Sequence, residues 1–413
     1  MRDDVLKVLN EPALLESLYR SNKTAFKEAI EELYLETPNH LMLKTWHIRL
    51  KTELDPVRWG SKVDWLLIGI MILISGTLTK LPNWFQLDPN DFFPRYISFL
   101  YVPLLYTYFA WKKQIPLRRN LPVYVVWVLG WVYMTLLPGD PESDTYFLAS
   151  VHFLLFMWTI LGYAFVNGEL KKTTPYSRFL FFNGEFLILS VILGLSGVLF
   201  LVITTGLFSA IGIPTEPYIN RFGVYGLSAI PFISTHLLHI NPTLLNKISP
   251  IVARLFSPAA LTMFIVYLVA SLIKSANPYA DREYLVILNG LLVAVMALIL
   301  FSVSDAQPHS TTKFQQWMLI LLAIASLIID VITLSAILYR ITEWGITPNR
   351  FAVLGSNLLI FIHLSIVLMN MIGALQKEKD KQGISNSIGS FLPVYSAWFL
   401  GVALLFPILF SFK

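Results

Sequence analysis

Long apolar blocks are the feature that most limits what this chain folds into. Stretches such as 179–212 and 317–342 contain few or no charged side chains. About 20 helical residues cross the roughly 30 Å hydrocarbon core of a bilayer. Of the 413 residues, 55% are hydrophobic and 14% are charged, and the mean hydropathy is +0.63. Because soluble domains carry about 25% charged residues, we expect an all-α, polytopic integral membrane helical bundle.

The apolar blocks predict about ten or eleven transmembrane helices. Block 179–212 exceeds what a perpendicular crossing needs, so it is expected to tilt strongly or to begin as an interfacial helix. Block 223–240 contains Pro231 and is either a span or a re-entrant segment, which gives eleven or ten spans. The predicted spans are 63–80, 92–111, 121–138, 145–166, 179–212, 223–240, 255–273, 283–304, 317–342, 350–376 and 391–411.

Residues 1–62 differ from the bundle at 63–413, because they are polar and carry equal numbers of basic and acidic side chains. Apolar residues recur there at helical spacing. Ser21 is an expected N-cap, and Pro38 separates two segments, so we expect two or three short amphipathic helices. They form either a packed cap that docks a protein partner or a membrane-surface anchor, and the balanced charge argues against the anchor.

Loop charges predict the orientation. Short loops on the side of the N-terminus hold more lysine and arginine than the opposite loops, which favours a cytosolic N-terminus and an outside C-terminus. The first 60 residues contain no apolar signal segment, so the first span is expected to direct insertion. The net charge of +5 is spread over the loops; this indicates contact with anionic lipid and no nucleic-acid partner.

Several chemistries are excluded or not indicated. The chain has no cysteine, which excludes disulfides, thiolate metal sites, iron–sulfur clusters and thiol nucleophiles. The short enzymatic motifs for nucleophilic serine, zinc hydrolysis and phosphate binding do not occur. We therefore predict no catalytic residues, no cofactor and no metal, and favour a protein without enzymatic activity.

Asp330 is the strongest candidate for a functional residue. Inserting an ionisable residue at the centre of a membrane span costs roughly 2.5–3.5 kcal/mol on insertion scales. His363 lies in the next span, about as far from the intervening turn as Asp330, so a hairpin brings both to one depth. Two readings stay open: a proton relay or ligand site, and a polar contact that fixes helix register. Polar neighbours at helical spacing complete this candidate site: Ser326, Thr333, Ser356 and Asn370.

Two further polar pairs are weaker leads. His236 and His239 are spaced to face one metal, but without a third ligand they are better read as interfacial histidines near the cytosolic end. Asn183 and Glu185 begin the longest block, where they line a vestibule or face lipid headgroups.

The turn between the predicted spans 317–342 and 350–376 carries a charged motif, Arg340 to Arg350. Gly345 is a natural C-terminal helix cap, Thr347 an N-cap and Pro348 a first helical residue. Arg340, Glu343 and Arg350 can pair with each other or with lipid phosphates. The motif is thus either a structural hairpin clamp or a gate or docking element.

This motif resembles one in a bacterial multi-pass membrane family catalogued as domain of unknown function forty-one fifty-three. There a transmembrane helix ends in Arg-Ile-x-Glu-Tyr-Gly-x-Thr-x-x-Arg, and Trp344 stands here where tyrosine is usual. The segment from Leu255 through Tyr267 also resembles a helix of that family. The resemblance covers roughly residues 60–410 and implies a helical bundle in the bacterial inner membrane, with no activity to carry over.

Three classes of function remain open. A scaffold, sensor or regulatory membrane component predicts a filled bundle core and a partner for residues 1–62. A transporter or channel-like protein predicts a water-reachable cavity around Asp330 and His363. An intramembrane enzyme is the third class. Substrate, partner and oligomeric state are not encoded in any recognisable motif.

Overall fold

The chain folds into α-helices grouped in two compact units, Met1–Trp59 and Gly60–Lys413. The division falls shortly before the predicted boundary at 62–63. No strand occurs among the residues that the computed structural model describes, which confirms the expected all-α class. Those residues are 1–51, 58–139, 143–167, 174–210, 213–242, 244–245, 256–266, 269, 279, 282–304, 313–376 and 381–412.

The N-terminal unit has its own core. Its helices are α1 (Arg2–Lys7), α2 (Pro12–Ser21), α3 (Lys23–Glu36) and α4 (Leu41–Lys51). Leu15, Phe26 and Ile30 are fully buried in this core. The N-cap of α3 is Asn22, whose side chain accepts a hydrogen bond from Ala25 N at 3.1 Å. The cap thus lies one residue after the expected Ser21, which ends α2 instead.

The larger unit begins with α5 (Lys62–Thr79), and the short α6 (Leu81–Phe85) follows it directly. The remaining helices are α7 (Pro89–Lys112), α8 (Leu117–Leu136), α9 (Asp144–Phe165), α10 (Thr174–Ala210), α11 (Glu216–Ile240), α12 (Phe256–Val266), α13 (Arg282–Ser304), α14 (Lys313–Trp344), α15 (Pro348–Gln376), α16 (Lys381–Ser390) and α17 (Leu392–Leu409).

Within the described ranges, seven segments are long and apolar enough to cross a membrane, so the chain is a membrane-spanning protein. This is fewer than the ten or eleven spans expected, and part of the predicted span 255–273 lies outside the described residues. Helices α7, α8 and α11 are 20 to 25 residues long but more polar than the seven. The spans are Lys62–Phe85, Asp144–Phe165, Tyr176–Gly206, Leu285–Val303, Lys313–Trp344, Pro348–Leu375 and Gly383–Leu409.

Helices α10 and α11 correspond to the two ambiguous blocks, 179–212 and 223–240. Helix α10 is one continuous helix of 37 residues, about 55 Å long at 1.5 Å per residue. Only 6% of its most apolar window is buried, as expected for a surface that contacts lipid. Helix α11 runs without a break through Pro231, so the described residues 216–240 form a helix rather than a re-entrant turn.

The packing of the later helices sets the position of the candidate site. Helices α14 and α15 form an antiparallel hairpin, α13 packs on α14, and α17 packs on α9 and α15. A cluster of buried apolar side chains from α12, α13, α14 and α15 fills the space between these helices, including Leu292, Leu322 and Leu364.

Candidate functional site

The turn between α14 and α15 is built as the sequence predicts. Gly345 has φ of +77°, the left-handed conformation that glycine adopts without strain. Thr347 Oγ1 accepts from Arg350 N at 3.3 Å. Arg350 Nη1 donates to Trp344 O at 2.9 Å and Gly345 O at 2.7 Å. A cation there pairs with the negative end of the α14 dipole, so the turn is fixed.

The charged side chains of the motif do not form the mutual ion pairs that were one expectation. The guanidinium carbons of Arg340 and Arg350 lie 4.8 and 5.8 Å from the Trp344 ring centre. Glu343 is exposed, and it joins none of the ion pairs found in the described part of the chain. The tryptophan therefore holds two cations side by side on this end of the hairpin.

Asp330 is fully buried at the middle of α14. Its Oδ1 lies 3.5 Å from Thr333 Oγ1, and its Oδ2 has no hydrogen-bond partner. The Thr333 hydroxyl lies closer to two backbone oxygens, Ile329 O at 3.1 Å and Asp330 O at 2.9 Å. Since one hydroxyl has one proton, the carboxyl group is poorly satisfied.

Ser326, one turn from Asp330, is also buried on this face. Its hydroxyl donates to Leu322 O at 2.7 Å. The predicted polar stripe on α14 thus exists, but its two hydroxyls bond mainly to their own helix.

His363 is fully buried on α15. Its Nδ1 lies 3.1 Å from Tyr395 Oη of α17. Its ring stacks on Phe391 with 4.2 Å between centroids. The other ring nitrogen, Nε2, has no hydrogen-bond partner, and the backbone of Ser387 is the polar group near the ring. Tyr395 Oη also lies 3.8 Å from Met296 Sδ, so the histidine is joined to α13 and α17.

Asp330 and His363 do not form the hydrogen-bonded pair that was one expectation. Asp330 Oδ2 and His363 Nε2 are both unpartnered, so no hydrogen bond joins them. The arrangement is a buried carboxyl group on α14 and a buried imidazole on α15, and the imidazole is bonded to the Tyr395 phenol of α17.

Ser356 and Asn357, nearer the start of α15 than His363, form contacts with other helices. Ser356 Oγ accepts from Trp398 Nε1 at 3.1 Å. Its buried neighbour Asn357 donates to Asn289 Oδ1 of α13 at 2.6 Å. Asn357 precedes His363 by six residues, or about 9 Å along the helix. Asn370, on the opposite side of His363, is partly exposed.

A cavity of about 600 Å³ opens above this amide pair, at the end of the hairpin. Asn289 belongs both to the amide pair and to the cavity wall. The other polar wall residues include Ser143 and Asp144, at the start of α9, and three motif residues. These three are Arg340, Thr347 and Arg350. Polar groups thus extend from the membrane surface to the level of Asn289.

A second polar cluster lies between α5, α7 and α11, where the sequence suggested only interfacial histidines. Lys112 Nζ lies 2.5 Å from Asp64 Oδ1, and Asp64 is 4% exposed. Tyr108 Oη lies 2.9 Å from Nδ1 of the fully buried His236. His239 contacts Tyr108 edge to face. No group of three or more metal-ligating side chains occurs in the part of the chain that is described.

The proposed vestibule residues are structural neighbours of α9. Asn183 accepts from Trp158 Nε1 at 2.9 Å and donates to Phe179 O at 2.5 Å. Glu185 is buried rather than facing lipid headgroups. The first turns of α10 therefore pack into the bundle through polar contacts.

Several residues of these sites were not identified from the sequence. Tyr395, Asn289, Asn357, Asp64 and Lys112 all lie in or beside predicted spans. Amide and phenol side chains within apolar blocks could have indicated these residues, because burying such groups in lipid also costs free energy. Their pairing across helices depends on tertiary packing, which a single sequence does not display.

Comparison of the chain with protein-family models, with curated proteins and with solved structures finds no match.

Proposed function

We propose that this membrane-spanning protein is a transporter-like protein that passes a proton or a small polar solute by way of Asp330 and His363. The observation that carries the proposal is the pair of unsatisfied atoms, Asp330 Oδ2 and His363 Nε2, inside membrane helices. Each buried, unpaired polar group costs about 1–3 kcal/mol. Groups retained at that cost in a membrane mark ion or proton pathways.

A register-fixing contact would leave these side chains satisfied by neighbouring helices. Elsewhere in the same bundle the neighbours do satisfy buried charges, as Lys112 does for Asp64. The hairpin cavity reaches Asn289, which accepts a hydrogen bond from Asn357, but neither Asp330 nor His363 lines it. The proposal includes a bacterial inner-membrane location and a cytosolic N-terminus, from the resemblance and the loop charges.

The experiment that tests this function is solvent accessibility by cysteine labelling, since the native chain has no cysteine. Ser326→Cys lies one turn from Asp330, and Ser75→Cys is the matched control. Both serines are buried and bond to a carbonyl of their own helix. In intact membranes, a water-soluble thiol reagent is expected to label Ser326→Cys and to spare Ser75→Cys.

Failure to label Ser326→Cys from either side, in protein that is folded by gel filtration, contradicts a water pathway to Asp330. Equal labelling of both variants also contradicts it, because the reagent would then report general loosening of the bundle. If only Ser326→Cys is labelled, adding Asp330→Asn is expected to change the extent of that labelling, since the carboxyl group is part of the proposed pathway.

A regulatory or scaffold role is the second candidate, and the N-terminal unit favours it. This unit leaves large apolar side chains on its surface, with Leu35 83% and Leu41 79% exposed. A photo-crosslinking residue at position 35 or 41 is expected to give a discrete protein adduct in cells. The control places the same photo-crosslinking residue at position 28, in place of the exposed Glu28. Equal adducts at all three positions argue against a docking surface.

A further inference from the structure

We propose that the hairpin cavity binds the phosphate headgroup of an anionic membrane lipid and holds the start of its acyl chain. The cavity is the one lined by Arg340, Thr347 and Arg350, with a volume of about 600 Å³. This lies within the range of about 300–1,000 Å³ that is typical of small-ligand sites. The inference does not depend on the transport proposal, because lipid binding requires no water pathway to Asp330.

Charge and geometry favour an anion. Among the described residues that line the cavity, two are arginines and one, Asp144, is acidic. Arg350 is held by two carbonyl oxygens through Nη1 alone, and a guanidinium has five N–H donors. Both guanidinium groups are also held against Trp344. Because arginine side chains fixed in this way match phosphate oxygens with two parallel hydrogen bonds, a phosphate fits them better than a cation or a neutral group.

Apolar side chains line one part of the cavity, which favours a lipid over a soluble phosphate. Phe147, Leu285, Val286, Ile337 and Val353 line the cavity. Phe147 is 58% exposed and Val286 is 62% exposed, so the apolar side is open towards the surroundings of the bundle. The hairpin joins two membrane spans, so its turn lies at a bilayer surface. A headgroup at the arginines would place a chain along Phe147 and Val286.

The test uses the full-length protein in a neutral detergent, with phosphatidylglycerol, phosphatidylcholine and inorganic phosphate as probes. Native mass spectrometry reports how much lipid the protein retains. We expect retention of phosphatidylglycerol above phosphatidylcholine, with no displacement by millimolar inorganic phosphate. Displacement by inorganic phosphate overturns the lipid part of the inference, and equal retention of both lipids overturns recognition of net negative charge.

Variants separate binding from folding. Arg340→Gln is expected to lower phosphatidylglycerol retention roughly tenfold, as loss of a charge-assisted contact does. Asp144→Asn is expected to raise it about threefold, because the opposing charge is removed. Arg221→Gln is the control, since Arg221 is an exposed arginine of α11 outside the cavity. Unchanged retention in both cavity variants, or a decrease in both, contradicts the site.

Discussion

The two polar clusters of the membrane unit differ in whether their buried ionisable groups have polar partners. Between α5 and α7, Asp64 is paired with Lys112 at 2.5 Å and accepts from Ser61 N at 2.8 Å. Between α14 and α15, Asp330 and His363 each keep a polar atom without a partner. The first arrangement holds helices together, whereas the second stores unfavourable free energy. Since both lie in one bundle, the difference points to function at the second.

Arg95 extends the first pattern to the other end of α7. This buried arginine pairs with Asp91 at 2.8 Å and donates to carbonyl oxygens at the end of α8, including Leu137 O at 2.8 Å. Tyr146 of α9 donates to the same carboxylate at 2.8 Å. The charges of α7 are therefore satisfied at both ends, and they tie α5, α8 and α9 together.

The largest expected effect comes from breaking the satisfied pair. Lys112→Met leaves the Asp64 carboxylate buried without its cation, which costs about 3–5 kcal/mol for pairs of this kind. We expect a clear drop in apparent Tm of the purified protein. Arg118→Met removes a nearby exposed cation and is expected to leave Tm unchanged. Equal Tm values for the two variants would show that Asp64 does not depend on Lys112.

The next prediction compares the two carboxyl groups by the same substitution. Asp64→Asn removes a charge-assisted pair and is expected to destabilise the protein by about 2 kcal/mol. Asp330→Asn removes a poorly satisfied group and is expected to leave stability unchanged or to raise it by about 1 kcal/mol. Thermal unfolding of both variants measures the difference. If Asp330→Asn destabilises as much as Asp64→Asn, Asp330 is a structural contact.

A smaller effect tests the hairpin that positions Asp330 and His363. Gly345→Ala forces a Cβ into left-handed backbone at φ of +77°, which costs about 1–2 kcal/mol. No atom lies within 4 Å of that Cβ, so steric crowding does not contribute. Gly373→Ala on α15 is the matched control with equally open space. It is expected to stabilise the helix by up to about 1 kcal/mol, and the two Tm shifts should have opposite signs.

The smallest effect concerns the N-terminal unit. A hydrogen bond from Arg20, together with the nearby Arg49, lowers the pKa of Glu16 below its ordinary value of 4.5. A depressed pKa stabilises the folded state above that ordinary value, and the contribution is lost as pH falls through the folded pKa. We expect at most a few tenths of a kcal/mol, because the pair is partly exposed.

Fragment 1–59 has its own core and allows this measurement. The helical signal of the fragment is expected to melt at lower temperature below pH 4.5, and Glu16→Gln is expected to reduce that shift. Glu28→Gln is a control at an exposed position. Identical pH profiles for wild type and Glu16→Gln would show that this ion pair does not contribute to the pH dependence of stability.

Much of the fold follows from the sequence because lipid restricts the choices. Backbone groups in a bilayer have to bond within a helix, so an apolar block predicts a helix directly. The hairpin turn was predictable from Gly345 and Thr347, whose local roles need no tertiary information. The span number was harder to predict, since α7 and α11 mix aromatic and polar residues that hydropathy alone cannot assign.

The candidate site was only partly predictable. The burial of Asp330 and His363 follows from their place in apolar blocks. The absence of a hydrogen bond between them depends on helix rotation, which the intervals along the chain do not fix. Tyr395 joins the site from a helix distant in sequence, so no local pattern connects it to His363.

We propose that Asp330, although it is buried in the bundle, exchanges its proton with bulk solvent, in contrast to the paired Asp64. Infrared difference spectroscopy of the purified protein measures this most directly, with the Asp330 band assigned by its loss in Asp330→Asn. We predict that this band changes reversibly with bulk pH and shifts on transfer from H₂O to D₂O. A band that responds to neither change would show that Asp330 is sealed in the bundle, and would contradict the claim.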